Sequence, residues 1–260
     1  MGATIESLIF LAVVGLLVLL RFDARRFGAA EYDDEEAPGG WRTWVRRLSW
    51  YASALVLLLI VYFLYPQPLS VLHLQIGTPR VTVLIYGLVL GLAGALYALA
   101  YAWWRFQDLR LPPARRYPAG LLNSVVTAFI DEAVFRGVVL GLLLASHWPT
   151  EYAIAFQAVL YALSTRLAGR GRPMGMLLLS LALGLFNGWL TIATGGIGAA
   201  FVGHALTRMA VFVATGHAGQ VRAVALDDDE ADLEQTTAHT PAGWEVVVDR
   251  DSSGPRDTRW

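Results

Sequence analysis

The run AGLLNSVVTAFIDEAVFRGVVLGLLLAS, residues 119–146, decides the fold. It is apolar at both ends and free of proline, yet Asp131, Glu132 and Arg136 sit near its centre. A spanning helix needs about 20 mostly apolar residues, because the hydrocarbon core is about 30 Å thick and each residue rises about 1.5 Å. The run is long enough to cross. It then carries three ionisable groups to a depth where a charge costs several kcal/mol unless it is paired or hydrated. On a helix Glu132 and Arg136 share one face, four residues apart and acid before base. Asp131 sits about 100° round from Glu132 and is free to address a different neighbour.

Composition extends this reading to the whole chain. Of 260 residues, 56% are hydrophobic and 16% charged, and mean hydropathy is +0.50. A soluble domain carries about 25% charge, so this chain has too few charges to cover a water-facing surface and reads as a membrane protein. There are no cysteines, which excludes disulfides, thiolate metal sites and thiol nucleophiles. All 20 basic residues are arginine, and without lysine a Schiff-base cofactor such as retinal is excluded. The net charge of −1 gives no argument for nucleic acid.

The pattern predicts an all-α polytopic membrane bundle with seven spans, near 3–20, 49–65, 81–104, 119–146, 152–168, 174–193 and 197–215. The first has no basic residue before it, and Arg21, Arg25 and Arg26 follow it, so it reads as a retained anchor rather than a cleaved signal. Arginine-rich and arginine-poor loops alternate. Arg25, Arg26, Arg42, Arg46 and Arg47 are followed by Arg80 alone. Then come Arg105, Arg110, Arg115 and Arg116, an arginine-free loop at His147–Glu151, Arg166, Arg170 and Arg172, and the arginine-free turn Thr194-Gly195-Gly196. The positive-inside rule places the N-terminus outside and the C-terminus inside.

Three regions follow. Residues 1–48 are an anchor helix and charged cytoplasmic loop, 49–217 the bundle, and 218–260 a cytoplasmic tail. The first 217 residues hold 16 arginines against 11 acids, while 218–260 hold 4 against 10. The tail, with Asp227–Glu230, has little apolar area to offset its ordering entropy and is expected to be disordered. No internal repeat is evident.

The last span contributes a second polar pair, His204 and Arg208, again four apart on one face. Taken singly, Glu132–Arg136 could serve only to make its helix insertable, and His204 only to hydrogen-bond a neighbouring helix. Together they point to a polar site between the fourth and seventh spans. Gly87-x-x-x-Gly91 and Gly184-x-x-x-Gly188 read as close-packing seams.

Asp131–Gly137 resembles the Glu-Glu-x-x-x-Arg-Gly signature of the CPBP family, the CAAX-type membrane endopeptidases and bacteriocin-processing or immunity proteins. The stretch from Gly184 through Thr194-Gly195 to His204 resembles the last two core helices of that family. Tyr161-Ala-Leu-Ser-Thr165 falls where the family has an aromatic followed four residues later by histidine. The resemblance covers about residues 118–215. It implies peptide hydrolysis within the membrane, with a glutamate activating water, and with histidines and an asparagine holding a divalent metal, zinc for instance, or the developing oxyanion.

Carried over by position, the motifs are altered. Asp131 stands for the first glutamate, one methylene shorter. Glu132, Arg136 and His204 are retained. Thr165 replaces a histidine and can act neither as a base nor as a normal zinc ligand. Arg208 replaces the asparagine. With both arginines turned inward, Arg136 and Arg208 balance Asp131 and Glu132, which describes a salt-bridged core better than a hydrolytic centre. The candidate catalytic residues are Asp131, Glu132 and His204, which are also the ligands of any metal. The favoured expectation is a relative with reduced or lost proteolysis that needs no cofactor and keeps a cleft for a membrane-tethered peptide or partner helix. The alternatives are an active metalloendopeptidase cleaving membrane-associated or prenylated peptides, and a proton-coupled carrier. The carrier is disfavoured because only the fourth and seventh spans supply buried charge. The arginine-only basic set fits a GC-rich genome and a bacterial plasma membrane.

Overall fold

A computed structural model describes residues 2–27, 41–107, 109, 111–167 and 174–215. The chain divides into two units, residues 1–222 and 223–260. The second, with most of the acidic tail, lies outside the described residues.

The described residues of the first unit are helical, with no strand among them. The helices are α1 (Gly2–Phe22), α2 (Trp41–Leu64), the short α3 (Pro68–Val71), α4 (Arg80–Phe106), α5 (Tyr117–Asp131), α6 (Leu140–Ala145), α7 (Thr150–Leu167), α8 (Met174–Thr194) and α9 (Gly198–Thr215). Between α5 and α6 the chain winds as a π-helix, Glu132–Val139. Each of the seven apolar segments falls on helix. Among the described residues, three helices are long and apolar enough to cross a membrane, Trp44–Leu64, Arg80–Trp104 and Leu177–Thr194, while Leu8–Phe22 and Gly198–Ala214 are apolar but shorter. The fourth segment differs from the single α-helix expected. Its middle is a π-turn, a rare form concentrated at functional sites, and it starts at Glu132, where the charged side chains enter the core.

Packing explains the glycines. On α4, Gly87 faces Val202 and Ala199, Gly91 faces Leu206 and Gly94 faces Thr207, so α4 and α9 lie backbone-close. On α8, Gly184 abuts Ala158 of α7 and Gly188 abuts Gln157. Without a hydrophobic drive between helices in lipid, close approach through small residues is what holds them. The opposite face of α4 leaves Val81, Leu84, Leu88, Leu92 and Leu96 exposed, an apolar surface suited to lipid.

One end of the bundle is fastened by backbone. The N–H of Ile197 donates to the carbonyls of His73 and Gln75 at 3.1 and 2.9 Å, and that of Gly198 to Ile76 at 3.1 Å. These bonds occupy donors that a helix start leaves orphaned. Thr78 N–H returns a bond to Thr194 O at 2.9 Å, and Gln75 Nε2 donates to Gly195 O at 2.7 Å. The turn before α9 is thereby tied to the segment before α4. Gly195 adopts φ +70°, which favours glycine. His73, outside the spanning segments, has its pKa lowered by burial, against an opposing bond to the Gly195 backbone.

The seam between α4 and α9 yields a test. Thr207 is buried and donates to Gly203 O at 2.8 Å, so it cannot turn away from a new methyl group. In Gly94→Ala that methyl overlaps Thr207 Oγ1 and Cγ2. The variant is expected to lose about 1–3 kcal/mol, read as a lower unfolding temperature in detergent. An unchanged temperature would show a loose seam.

Candidate functional site

Asp131 ends α5 and is fully buried. Its partner comes from an unexpected place. Arg21, in the last turn of α1, sends Nε to Asp131 Oδ1 at 2.5 Å and its Nη2 to Oδ2 at 3.2 Å. The sequence marks Arg21 as a loop charge flanking the anchor, yet it is 1% exposed. A two-point guanidinium–carboxylate pair is the strongest side-chain ion pair available. On α9, Arg208 turns inward and places Nη1 4.0 Å from Asp131 Oδ2. The end of α1 is held in register by Trp50 of α2, whose Nε1 donates to Leu20 O at 2.9 Å.

Glu132, next in the chain, addresses other helices. Its Oε1 accepts from Asn187 Nδ2 of α8 at 2.7 Å, meets His204 Nδ1 of α9 at 2.6 Å and lies 3.2 Å from Arg136 Nη1. An ionised carboxylate can only accept, so Nδ1 carries the proton toward it, and Nε2 forms a hydrogen bond with the Tyr161 hydroxyl at 3.0 Å. The Arg136 guanidinium stacks over the Tyr161 ring, 4.2 Å from its centroid, a cation–π contact that strengthens when desolvated. Glu132, Arg136, Tyr161, Asn187 and His204 are all 0% exposed.

Asp131, Glu132, Arg136, His204 and Arg208 therefore share one buried region. Thr165 does not join them: its hydroxyl donates to Ala162 O at 2.8 Å and lies 3.2 Å from Ser180 Oγ of α8. Tyr161, one turn earlier, is the α7 residue that reaches His204. A further polar cluster lies on α2 and α5, where Tyr51 donates to Asn123 Oδ1 at 2.5 Å and Thr127 to the same oxygen at 3.0 Å. Arg47 of α2 is also buried. The expectation that only the fourth and seventh spans supply buried charge is thus corrected, since α1 and α2 each bury an arginine. Sequence reading missed Arg21 and Arg47 because both lie where loop charges are counted. Asn187 had a usable signal, an amide in the middle of an apolar helix, where it needs a partner.

A divalent metal does not fit this donor set. Both nitrogens of His204 are engaged, and both oxygens of Asp131 are held by Arg21. Three guanidiniums, of Arg21, Arg136 and Arg208, stand beside the carboxylates and would repel the ion. Among the described residues no three His, Cys, Asp or Glu side chains are grouped to hold a metal.

Removing one member of a buried pair leaves an uncompensated charge, at about 3–5 kcal/mol, whereas replacing both with apolar groups is often neutral. Arg21→Met is expected to destabilise the protein by that amount in detergent melts. Arg21→Met with Asp131→Leu should recover most of the loss. A double variant no more stable than the single one would show that the pair is not the main coupling between α1 and α5.

Residues 113–210 match the family model described as Type II CAAX prenyl endopeptidase Rce1-like. No curated protein and no solved structure matches the chain. The matched segment begins at the turn before α5, ends within α9, and contains the buried polar residues of α5, the π-turn, α7, α8 and α9, while Arg21 and Arg47 lie outside it. Over residues 113–210, then, the chain is similar to the Rce1-like type II CAAX prenyl endopeptidase family.

Proposed function

We propose that this is a seven-span bacterial plasma-membrane protein of CAAX-protease type that works by binding a membrane-tethered peptide or partner helix rather than by hydrolysing it. The observation that carries the reading is the hold of Arg21 on both oxygens of Asp131, the residue standing at the position of the water-activating glutamate. A general base must bring a free lone pair within hydrogen-bond reach of the proton it takes. Asp131 has its lone pairs directed at guanidinium N–H groups, Thr165 offers no base, and Arg208 adds a fixed positive charge where the family has a neutral amide. An apolar groove of about 260 Å³ between α4 and α8, lined by Tyr86, Val89, Leu90, Ala93, Phe186 and Trp189 among others, supports the binding role.

One observation favours the rival reading of an active endopeptidase. Glu132 Oε2 has no protein hydrogen-bond partner, so a carboxylate oxygen stands beside His204. A membrane-tethered peptide presented to the purified protein separates the two. Wild type is expected to cleave no faster than Asp131→Ala, Glu132→Gln or His204→Ala, and to retain the uncut peptide, with several-fold weaker retention in Trp189→Ala. Turnover by wild type that Glu132→Gln abolishes would overturn the proposal.

The orientation, N-terminus outside, still follows from the charge pattern when the two buried arginines are set aside, since Arg25, Arg26, Arg42 and Arg46 remain between the first two apolar segments. The chain has no cysteine, so single-cysteine variants label cleanly. In intact cells Ser146→Cys is expected to react with a membrane-impermeant maleimide and Gln107→Cys to be protected. The opposite pattern would invert the topology.

A further inference from the structure

The groups around Glu132 are not all satisfied by protein. Glu132 Oε2, Asn187 Oδ1, Thr191 Oγ1 and all three nitrogens of Arg136 have no hydrogen-bond partner, although each belongs to a residue that is 0% exposed. They are neighbours. Asn187 Nδ2 sits 2.7 Å from Glu132 Oε1, Arg136 Nη1 sits 3.2 Å from the same oxygen, and Thr191 follows Asn187 by one turn of α8. The amide orientation is fixed, because only Nδ2 can donate to a carboxylate, so Asn187 Oδ1 is the atom left over.

Thr191 is the telling member. The buried serines and threonines Ser124, Ser164, Thr165, Thr194 and Thr207 donate back to a carbonyl of their own helix. Thr127 donates to Asn123, and Ser180 Oγ bonds with Thr165 Oγ1 at 3.2 Å. Thr191 alone among the described buried serines and threonines has no hydrogen-bond partner at all. Native proteins leave few buried polar atoms unpaired, and a local concentration of them marks a site for a polar ligand or bound water.

We infer that Arg136, Glu132 Oε2, Asn187 Oδ1 and Thr191 line an internal water site within the acid–histidine cluster. The chemistry matches a small neutral ligand that both donates and accepts. Arg136 supplies N–H donors, Glu132 and Asn187 supply acceptors, and Thr191 supplies either. Glu132 and Arg136 cancel in charge, so no ion is called for. With every lining residue shut off from the surface, a ligand of water's size is the one admitted, and buried water commonly makes two to four such bonds. This water site does not rest on the loss of hydrolysis, and the cleavage assay does not bear on it.

Two measurements on the intact protein test the site. X-ray radiolytic footprinting generates hydroxyl radicals from bound as well as bulk water, so a buried side chain beside internal water is oxidised. Tyr161, stacked under Arg136, is expected to be modified several-fold faster than Trp50, which is equally buried among the apolar residues of α1 and α2. Thr191→Val is expected to lower the melting temperature by about 2–4 °C, because a water loses a partner. In a dry site the same change removes an unpaired hydroxyl and leaves the melting temperature unchanged or higher. Tyr161 as inert as Trp50, or a Thr191→Val variant as stable as the parent, overturns the inference.

Discussion

The pairing of Asp131 with Arg21 is the constraint from which the rest of the bundle follows. A carboxylate with no solvent exposure cannot stay ionised at membrane depth without a counter-charge, and here the counter-charge is carried by α1. The ion pair therefore fixes where α1 docks, and Trp50 holding Leu20 O fixes its depth. One residue later, Glu132 gathers Asn187 from α8 and His204 from α9, and His204 in turn holds Tyr161 of α7. Two consecutive acids, pointing different ways from one helix, thus recruit four others. The π-turn that begins at Glu132 is where this divergence occurs.

The same bonds that build the core limit its chemistry. At an effective dielectric of about 20, unit charges 4 Å apart interact by about 4 kcal/mol, so Arg208 alone would influence Asp131 strongly. Arg21 is closer and adds two directed hydrogen bonds. A site intended to move protons keeps its acid and base apart in role and leaves one lone pair open to substrate. Here Arg21 holds both oxygens of Asp131, and Glu132 takes two hydrogen bonds and an ion pair through a single oxygen. What remains reactive is the other oxygen of Glu132, and the arrangement of Arg136, Asn187 and Thr191 around it suits hydration.

Much of the fold was legible in the sequence because hydropathy reports where a chain can sit in lipid. The apolar segments were found, and the glycines at 87, 91, 184 and 188 were read as seams, which is where they pack. Helical spacing put Arg208 on the face of His204 but left open whether it turns inward or snorkels away, and only the packed helices bring it to 4.0 Å from Asp131. Arg21 was not legible. An arginine after an apolar run reads as a flank, since a long side chain usually snorkels to the interface, and only tertiary contact distinguishes that from an inward pair. The π-turn was equally hidden, because an i, i+4 acid–arginine spacing suits an α-helix. Tyr161 was noted as an aromatic position, but its hydroxyl gained meaning only once His204 was seen within reach.

The additional buried arginines bear on the carrier reading from both sides. They remove the objection that only two helices bring charge into the core, and the polar residues Asn123, Thr127 and Asp131 on α5, with Ser180, Asn187, Thr191 and Thr194 on α8, extend polar character along much of the bundle. Polarity alone does not make a proton route. Arginines keep their charge at any physiological pH, and fixed guanidiniums in a pore act as barriers to protons and cations. Arg21 and Arg208 flank Asp131, and Arg136 lies over Tyr161 beside Glu132, so a proton crossing the region meets fixed positive charge at both acids. A carrier would also need these pairs to open and re-form in each cycle, leaving buried charges uncompensated at a cost of several kcal/mol at every step. The electrostatics weigh toward a core that stays paired.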